Sequence, residues 1–152
     1  MTEVQPMPVD ILLVDDSPTD VMIAKEALAV SKLLNRVHVV VDGDEALDFL
    51  YRRGKHQNAP RPGLVLLDLN LPKRSGREVL AEIKGDESLK SIPVIVLTTS
   101  NAESDVMSSY EAHANCYITK PVDFDQFSQV VQSMHNYWFY LVTLPPVDVD
   151  ER

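Results

Sequence analysis

The sequence predicts an α/β protein with a doubly wound, five-stranded parallel sheet in the order 2-1-3-4-5, covered by helices as a three-layer αβα sandwich. Two observations lead to this fold class. Five short apolar runs rich in Val, Ile and Leu alternate with five segments whose apolar residues recur at helical spacing. Strands separated by helical crossovers must be parallel, with right-handed connections, so the alternation gives a doubly wound sheet.

The first half of the chain predicts two strands and two helices. Ser17 and Pro18 are typical of an N-cap and a first helical position, and Asp42-Gly43-Asp44-Glu45 combines a turn with an acidic cap. Gly54, Pro60 and Pro62 predict an exposed loop over residues 53–62. The predicted elements are a strand over Val9–Val14, a helix from Pro18 to about Lys32, a strand over Val37–Val41 and a helix from about Asp44 to Arg53.

The second half begins with the continuous apolar run that ends at Asp68, which is typical of a strand buried on both faces. Ser75 and Glu78 form a capping-box pattern, and Pro93 stands at a strand start, where no ladder hydrogen bond is lost. The predicted elements are strands over Leu64–Asp68, Ile92–Leu97 and Asn115–Thr119, and helices from Gly76 to about Lys84, from Ala102 to about Ala112 and from Asp123 to about Leu141.

Length and composition favour one domain. The chain has 152 residues, 45% of them hydrophobic, and we divide it into a lead-in (1–8), one domain (9–144) and an acidic, disordered tail (145–152). The net charge of -9, without a basic stripe, argues against nucleic acid as a partner. A single cysteine, no apolar stretch long enough to span a membrane and no signal-peptide pattern predict a cytoplasmic protein without membrane contact.

Acidic residues follow two strands that the predicted order makes neighbours. Asp15 and Asp16 end the first strand and Asp68 ends the third, so all three carboxylates meet at one rim of the sheet. Carboxylates about 4 Å apart repel by roughly 4 kcal/mol at an effective dielectric of 20, so either one of them is protonated or a cation lies between them, and the cluster predicts a metal. Oxygen ligands in a partly open site suit Mg²⁺, for which Mn²⁺ or Ca²⁺ can substitute in a crystal.

Two further residues end strands at the same rim. Lys120 brings a mobile positive charge and Thr98 a hydroxyl, both suited to phosphoryl oxygens, so Asp68 becomes a candidate nucleophile. Each residue has a structural alternative. The two N-terminal acids could act only at a helix N-terminus, Thr98 could be a capping threonine, Lys120 a solvated turn lysine, and Tyr117 part of the core. Their joint occurrence at successive strand ends favours the chemical interpretation.

At these residues the chain resembles the receiver domain of bacterial two-component response regulators, over roughly Val9 to Leu141. The resemblance implies that Asp68 accepts a phosphoryl group from a histidine kinase, so that the protein signals and is not an enzyme beyond its own phosphorylation and slow dephosphorylation. It further implies metal contacts from Asp16 directly, Asp15 through water and the Asn70 backbone carbonyl. It assigns phosphoryl contacts to Lys120 and Thr98. It also implies that Thr98 and Tyr117 are switch residues, with Tyr117 turning inward when Thr98 moves toward the phosphoryl group.

More narrowly, the chain is similar to the single-domain regulators of bacterial phytochrome kinases, which implies such a kinase as partner. The aromatic end of the last helix, together with the fourth helix and the fifth strand, predicts a homodimer surface; the alternative is that these aromatics fold back as a satellite core. The segments that carry the narrower resemblance are 53–62, Leu66–Lys73, Leu97–Ser100, Asn115–Tyr117 and Tyr137–Pro145.

Three other classes of protein compete with this reading. A flavodoxin-like electron carrier has the same architecture, but Asp15 and Asp16 would repel the flavin phosphate. A haloacid-dehalogenase-like phosphatase also uses an Asp nucleophile and Mg²⁺, but expects a second Asp where this chain has Asn70. A phosphorylation-independent interaction module is disfavoured, because it would not need the complete set of residues for accepting a phosphoryl group that this chain carries.

Overall fold

The structure is a computed structural model that describes residues 8–31, 34–98, 116–119, 124–130 and 132–133. Residues 124–130 and 132–133 are helical. The strands are β1 (Val9–Val14), β2 (Asn35–Val40), β3 (Leu64–Asp68), β4 (Val94–Thr98) and β5 (Cys116–Thr119), and the helices are α1 (Pro18–Val30), α2 (Gly43–Tyr51) and α3 (Gly76–Gly85), with one 3₁₀ turn over Gly54–His56.

The five strands of the described residues form one sheet in the order β2-β1-β3-β4-β5, and each neighbouring pair is parallel. The predicted fold class is therefore confirmed. The register places Val14 of β1 opposite Leu67 of β3, and Asp68 opposite Leu97 of β4. Because the strands run in one direction, their last residues meet at a common edge, which we call the carboxyl edge.

The core lies on both faces of the sheet. Alternate residues of β1 point to opposite sides, so Leu12 packs with residues of α2 and α3 while Ile11 packs with residues of α1 and with Phe127. All five residues of β3 are buried, as the continuous apolar run predicted. Among the described residues, no helix combines the length and the apolar character needed to cross a membrane.

Local capping explains where the helices begin. Ser17 Oγ accepts from the Asp20 N–H at 3.3 Å, and Ser75 with Glu78 forms the predicted capping box of α3. Asp42 caps α2 by accepting from the Glu45 N–H at 2.7 Å, so this helix begins at Gly43, one residue before its predicted start. It ends at Tyr51 because Arg52, with φ of 58°, is in the left-handed conformation.

The prediction for residues 53–62 was partly wrong. Gly54–His56 form a 3₁₀ turn and Pro62 is buried, although most of this segment is exposed, as predicted. The turn forms because the His56 ring packs against the Phe49 ring, with centroids 5.3 Å apart, and its Nε2 lies 3.0 Å from Glu45 Oε2. Aromatic packing and the contact between the His56 ring nitrogen and the Glu45 carboxylate therefore hold the turn against α2.

The other strand boundaries differ by one or two residues. β2 begins at Asn35 because residues 35 and 36 already pair with Val9 and Asp10 of β1. β4 runs from Val94 to Thr98, with Pro93 just before it, where its carbonyl accepts from the Val65 N–H. The predicted helix over 102–112, the helix beyond residue 133 and the tail over 145–152 lie outside the described residues.

Candidate functional site

The carboxyl edge carries a cluster of three carboxylates. Asp15 and Asp16 directly follow β1, and Asp68 is the last residue of the neighbouring β3. One carboxylate oxygen from each residue lies within 4.8 Å of the others. The structure therefore brings together the three acids that the sequence placed at one rim.

Burial differs between these acids. Asp15 and Asp68 are each 1% exposed, whereas Asp16 is open to solvent. The Ser17 N–H donates to Asp15 Oδ1 at 2.9 Å, and the Asn70 N–H donates to Asp68 Oδ1 at 2.9 Å. These backbone hydrogen bonds fix the rotation of both buried carboxylates, while the exposed one leaves the cluster accessible.

The cluster fits a hard divalent cation. At a separation of 4.8 Å, two ionised carboxylates repel by about 3.5 kcal/mol at an effective dielectric of 20. A cation between the oxygens removes this repulsion, and Mg²⁺, Mn²⁺ and Ca²⁺ all prefer oxygen ligands. Asp15, Asp16 and Asp68 are the side chains that would hold it, and the exposed Asn70 lies two residues after Asp68.

The loop between β3 and α3, residues 69–75, is held closely at both ends. The Leu69 N–H donates to the Leu97 carbonyl at 3.0 Å, and the Gly76 N–H donates to the Leu69 carbonyl at 3.1 Å. A Cβ at position 76 would lie 2.3 Å from the Asp68 carbonyl oxygen and 2.5 Å from Leu69 Cα. Only glycine allows α3 to approach the backbone of the candidate nucleophile this closely.

Sequence reasoning missed the role of Gly76 in the site. Its signal was a glycine at the first position of a capped helix, where glycine is a poor helix former and a packing reason is to be sought. Gly43, the first residue of α2, also makes a close approach: a Cβ there would lie 2.1 Å from the Arg74 carbonyl oxygen. Both glycines therefore border the loop that follows Asp68.

The remaining predicted site residues are placed only in part. Thr98 is fully buried at the end of β4, one residue beyond the partner of Asp68 in the sheet register. The backbone of Tyr117 lies on β5 opposite Val96. Lys120 follows the last residue of β5 and lies outside the described residues.

The comparisons with known proteins agree on one family. A family model described as the response regulator receiver domain matches residues 11–132. Response regulator Rcp1 of Synechocystis is 50% identical over 135 residues, which cover 89% of this chain and 92% of the relative. The probable methanogenesis regulatory protein FilR2 of Methanothrix harundinacea is 40% identical over 132 residues, covering 86% of this chain and 84% of the relative.

Two solved structures are also close to this chain. The Mn²⁺-bound form of Rcp1 matches with a TM-score of 0.75 and 49% identity, covering 91% of this chain and 100% of that structure. The phosphorylated cyanobacterial phytochrome response regulator RcpA matches with a TM-score of 0.76 and 48% identity, covering 92% of this chain and 100% of that structure.

Proposed function

The chain belongs to the response regulator receiver family, and on this premise we propose that Asp68 accepts a phosphoryl group from a histidine kinase. The carboxylate cluster is the observation that carries the proposal. It puts a buried acid at the end of a central strand, within 4.8 Å of two further carboxylates that are suited to a cation. Ligands of parallel α/β sheets bind at this edge.

The proposed reaction transfers one phosphoryl group between two side chains. A carboxylate oxygen of Asp68 attacks phosphorus, the bond from phosphorus to the kinase imidazole nitrogen breaks, and an acyl phosphate forms while the nitrogen keeps the bonding electron pair. The hydrogen bond from the Asn70 N–H keeps the Asp68 carboxylate oriented for attack. Mg²⁺, held by Asp15, Asp16, Asp68 and the Asn70 backbone carbonyl, would supply positive charge for the incoming phosphoryl oxygens.

In this proposal, residues at the ends of the other strands bind the phosphoryl group once it is on Asp68. The Lys120 ammonium and the Thr98 hydroxyl contact its oxygens, and the movement of Thr98 makes room for Tyr117 to turn inward. Thr98 supports this role because it is fully buried at the carboxyl edge, next to the strand that ends at Asp68. Phosphorylation would then shift an equilibrium between two surfaces of the protein.

Phosphate uptake tests the acceptor assignment. Incubation with a small phosphodonor and Mg²⁺ should label the wild type with acid-labile phosphate, and Asp68→Asn should abolish the label. Glu87→Gln is the matched control. Glu87 lies in the loop after α3 and its side chain is 90% exposed, so this substitution also removes one negative charge but leaves the carboxylate cluster intact. An Asp68→Asn variant that takes up phosphate at the wild-type rate would disprove the assignment.

For the donor, we propose a bacterial phytochrome histidine kinase acting in the cytoplasm, where ATP is available to it. The similarity to the phytochrome response regulator RcpA supports this choice. Phosphotransfer profiling against all histidine kinases of the source cell should show one preferred, phytochrome-type donor. Equal transfer from unrelated kinases, with none from a phytochrome, would reject it.

The signal in this proposal leaves by protein contact and not by catalysis. We assign a homodimer surface to the fourth helix, β5 and the extended last helix, on the sequence pattern described above. Light scattering over a range of concentrations, with and without the phosphodonor, should detect the dimer; monomer mass throughout would reject it. Turnover of a generic phosphate ester would instead identify a phosphatase.

A further inference from the structure

The first turn of α2 contacts the loop that follows Asp68, and we propose that Gly43 is a positioning residue for this loop. In this inference, which rests on the proposed function, Gly43 lets α2 press against residues 69–75 and so holds the backbone at Asn70 where the metal needs it. Neither Gly43 nor α2 is assigned a contact with the phosphoryl group. The effect passes through the loop alone.

Space explains why position 43 is glycine. Gly43 is buried, and a Cβ there would lie 2.1 Å from the Arg74 carbonyl oxygen and 2.8 Å from Arg74 Cβ. The φ angle of Gly43 is not positive, so glycine is not needed here for an unusual backbone conformation. A Cβ contact below 3.0 Å does not occur in real proteins, so a side chain at position 43 would displace its neighbours by about 1 Å.

Two ion pairs fasten the same turn to the loop. Arg74 Nε lies 3.0 Å from Asp44 Oδ1, and Lys73 Nζ lies 3.8 Å from Asp42 Oδ2. Lys73 has φ of 69°, a conformation that costs a non-glycine residue of order 1–3 kcal/mol and persists only where neighbours hold it. The pairs are partly exposed, so their role is to select the loop conformation more than to stabilise the fold.

Glu45, in the first turn of α2, makes three further contacts. Glu45 Oε1 accepts from the Val41 N–H at 3.3 Å, and Glu45 Oε2 lies 3.0 Å from His56 Nε2 and 3.3 Å from Lys55 Nζ. These contacts tie the first turn of α2 to the segments before and after the helix, so in this inference a side chain at Gly43 displaces the loop more readily than the turn.

The loop transmits such a displacement to the site because it is short and fixed at its ends. Leu69 is bound to β4, and α3 packs directly on the backbone of Asp68 and Leu69 through Gly76. A shift at Arg74 is therefore accommodated within residues 70–73, which include Asn70. Misplacement of a functional group by about 1 Å can cost on the order of a hundredfold in function.

Metal binding is the direct test. In the full chain, Gly43→Ala should weaken Mg²⁺ binding, measured by calorimetric titration, about tenfold to a hundredfold and slow phosphorylation at subsaturating Mg²⁺. Gly85→Ala is the matched control because a Cβ there meets nothing within 4 Å, and it should bind Mg²⁺ like the wild type. Mg²⁺ binding by folded Gly43→Ala within twofold of the wild type would overturn the inference.

A second pair of variants decides the question if Gly43→Ala does not fold. Asp44→Asn and Arg74→Gln remove opposite charges from one ion pair. Electrostatics alone predicts that loss of Asp44 weakens and loss of Arg74 strengthens cation binding. Loop positioning predicts that both weaken it, by up to about fivefold for an exposed pair. Tighter Mg²⁺ binding by Arg74→Gln would overturn the inference.

The two proposals fail in different ways. A wild-type protein that binds Mg²⁺ but takes up no phosphate on Asp68 would contradict the proposed function, while the metal titrations would still test Gly43. If the wild type takes up phosphate on Asp68, and Gly43→Ala and Arg74→Gln both bind Mg²⁺ as tightly as the wild type, the positioning role alone is contradicted.

Discussion

Removing the charge of Asp68 should stabilise the protein when no divalent cation is present. Asp15 and Asp68 are both buried, and their oxygens lie within 4.8 Å of each other, which gives a repulsion of about 3.5 kcal/mol at an effective dielectric of 20. The pair formed with exposed Asp16 contributes closer to the aqueous value of about 0.9 kcal/mol. An amide oxygen accepts weaker hydrogen bonds than a carboxylate, which offsets part of the gain. We therefore expect Asp68→Asn to raise the free energy of unfolding by about 1–3 kcal/mol.

Urea denaturation followed by circular dichroism, in EDTA and again in Mg²⁺, measures this difference. In Mg²⁺ the advantage of the variant should shrink or reverse, because the wild type gains stability from the bound cation and the variant has lost a ligand. Glu87→Gln controls for the net charge of -9, since it removes one charge from an exposed side chain that is not part of the cluster. Equal stability of Asp68→Asn and wild type in EDTA would refute the repulsion, as would an equal gain in Glu87→Gln.

Three further predictions concern stability. Gly76→Ala should lower the free energy of unfolding by about 1–3 kcal/mol through its clash with the Asp68 backbone; a loss no larger than that of Gly85→Ala, measured by urea denaturation, would contradict it. Leu67→Ala in fully buried β3 should cost about 2–5 kcal/mol in the same assay, against less than about 0.5 kcal/mol for Val41→Ala, which is 50% exposed. Burial raises the pKa of Glu45, but hydrogen bonds from His56, the Val41 N–H and Lys55 outweigh it and lower this pKa from 4.5. Because the folded-state pKa of Glu45 is lowered, its ionised form stabilises the protein above the unfolded-state pKa, and this contribution is lost as pH falls through the folded-state pKa. Glu45→Gln should therefore lose less stability than the wild type as pH falls below 4.5; identical pH profiles would contradict this.

Much of the fold was predictable because its signals are local. The apolar run of β3, the Ser17 and Ser75 caps and the acids that end β1 and β3 are read within a few residues of sequence. Once the alternation of strands and helices implies a parallel sheet, the strand ends share one edge, so the meeting of Asp15, Asp16 and Asp68 follows from chain order.

The sequence by itself thus determined the architecture, the central strand and the carboxylates at its edge. Only the tertiary structure decided where backbones from distant segments touch: Gly43 against Arg74, Gly76 against Asp68, and His56 against Phe49. The physical reason is that propensity and periodicity describe a residue in relation to its own element. Whether a Cβ fits depends instead on the distance between two elements, which is known only when the whole chain has packed.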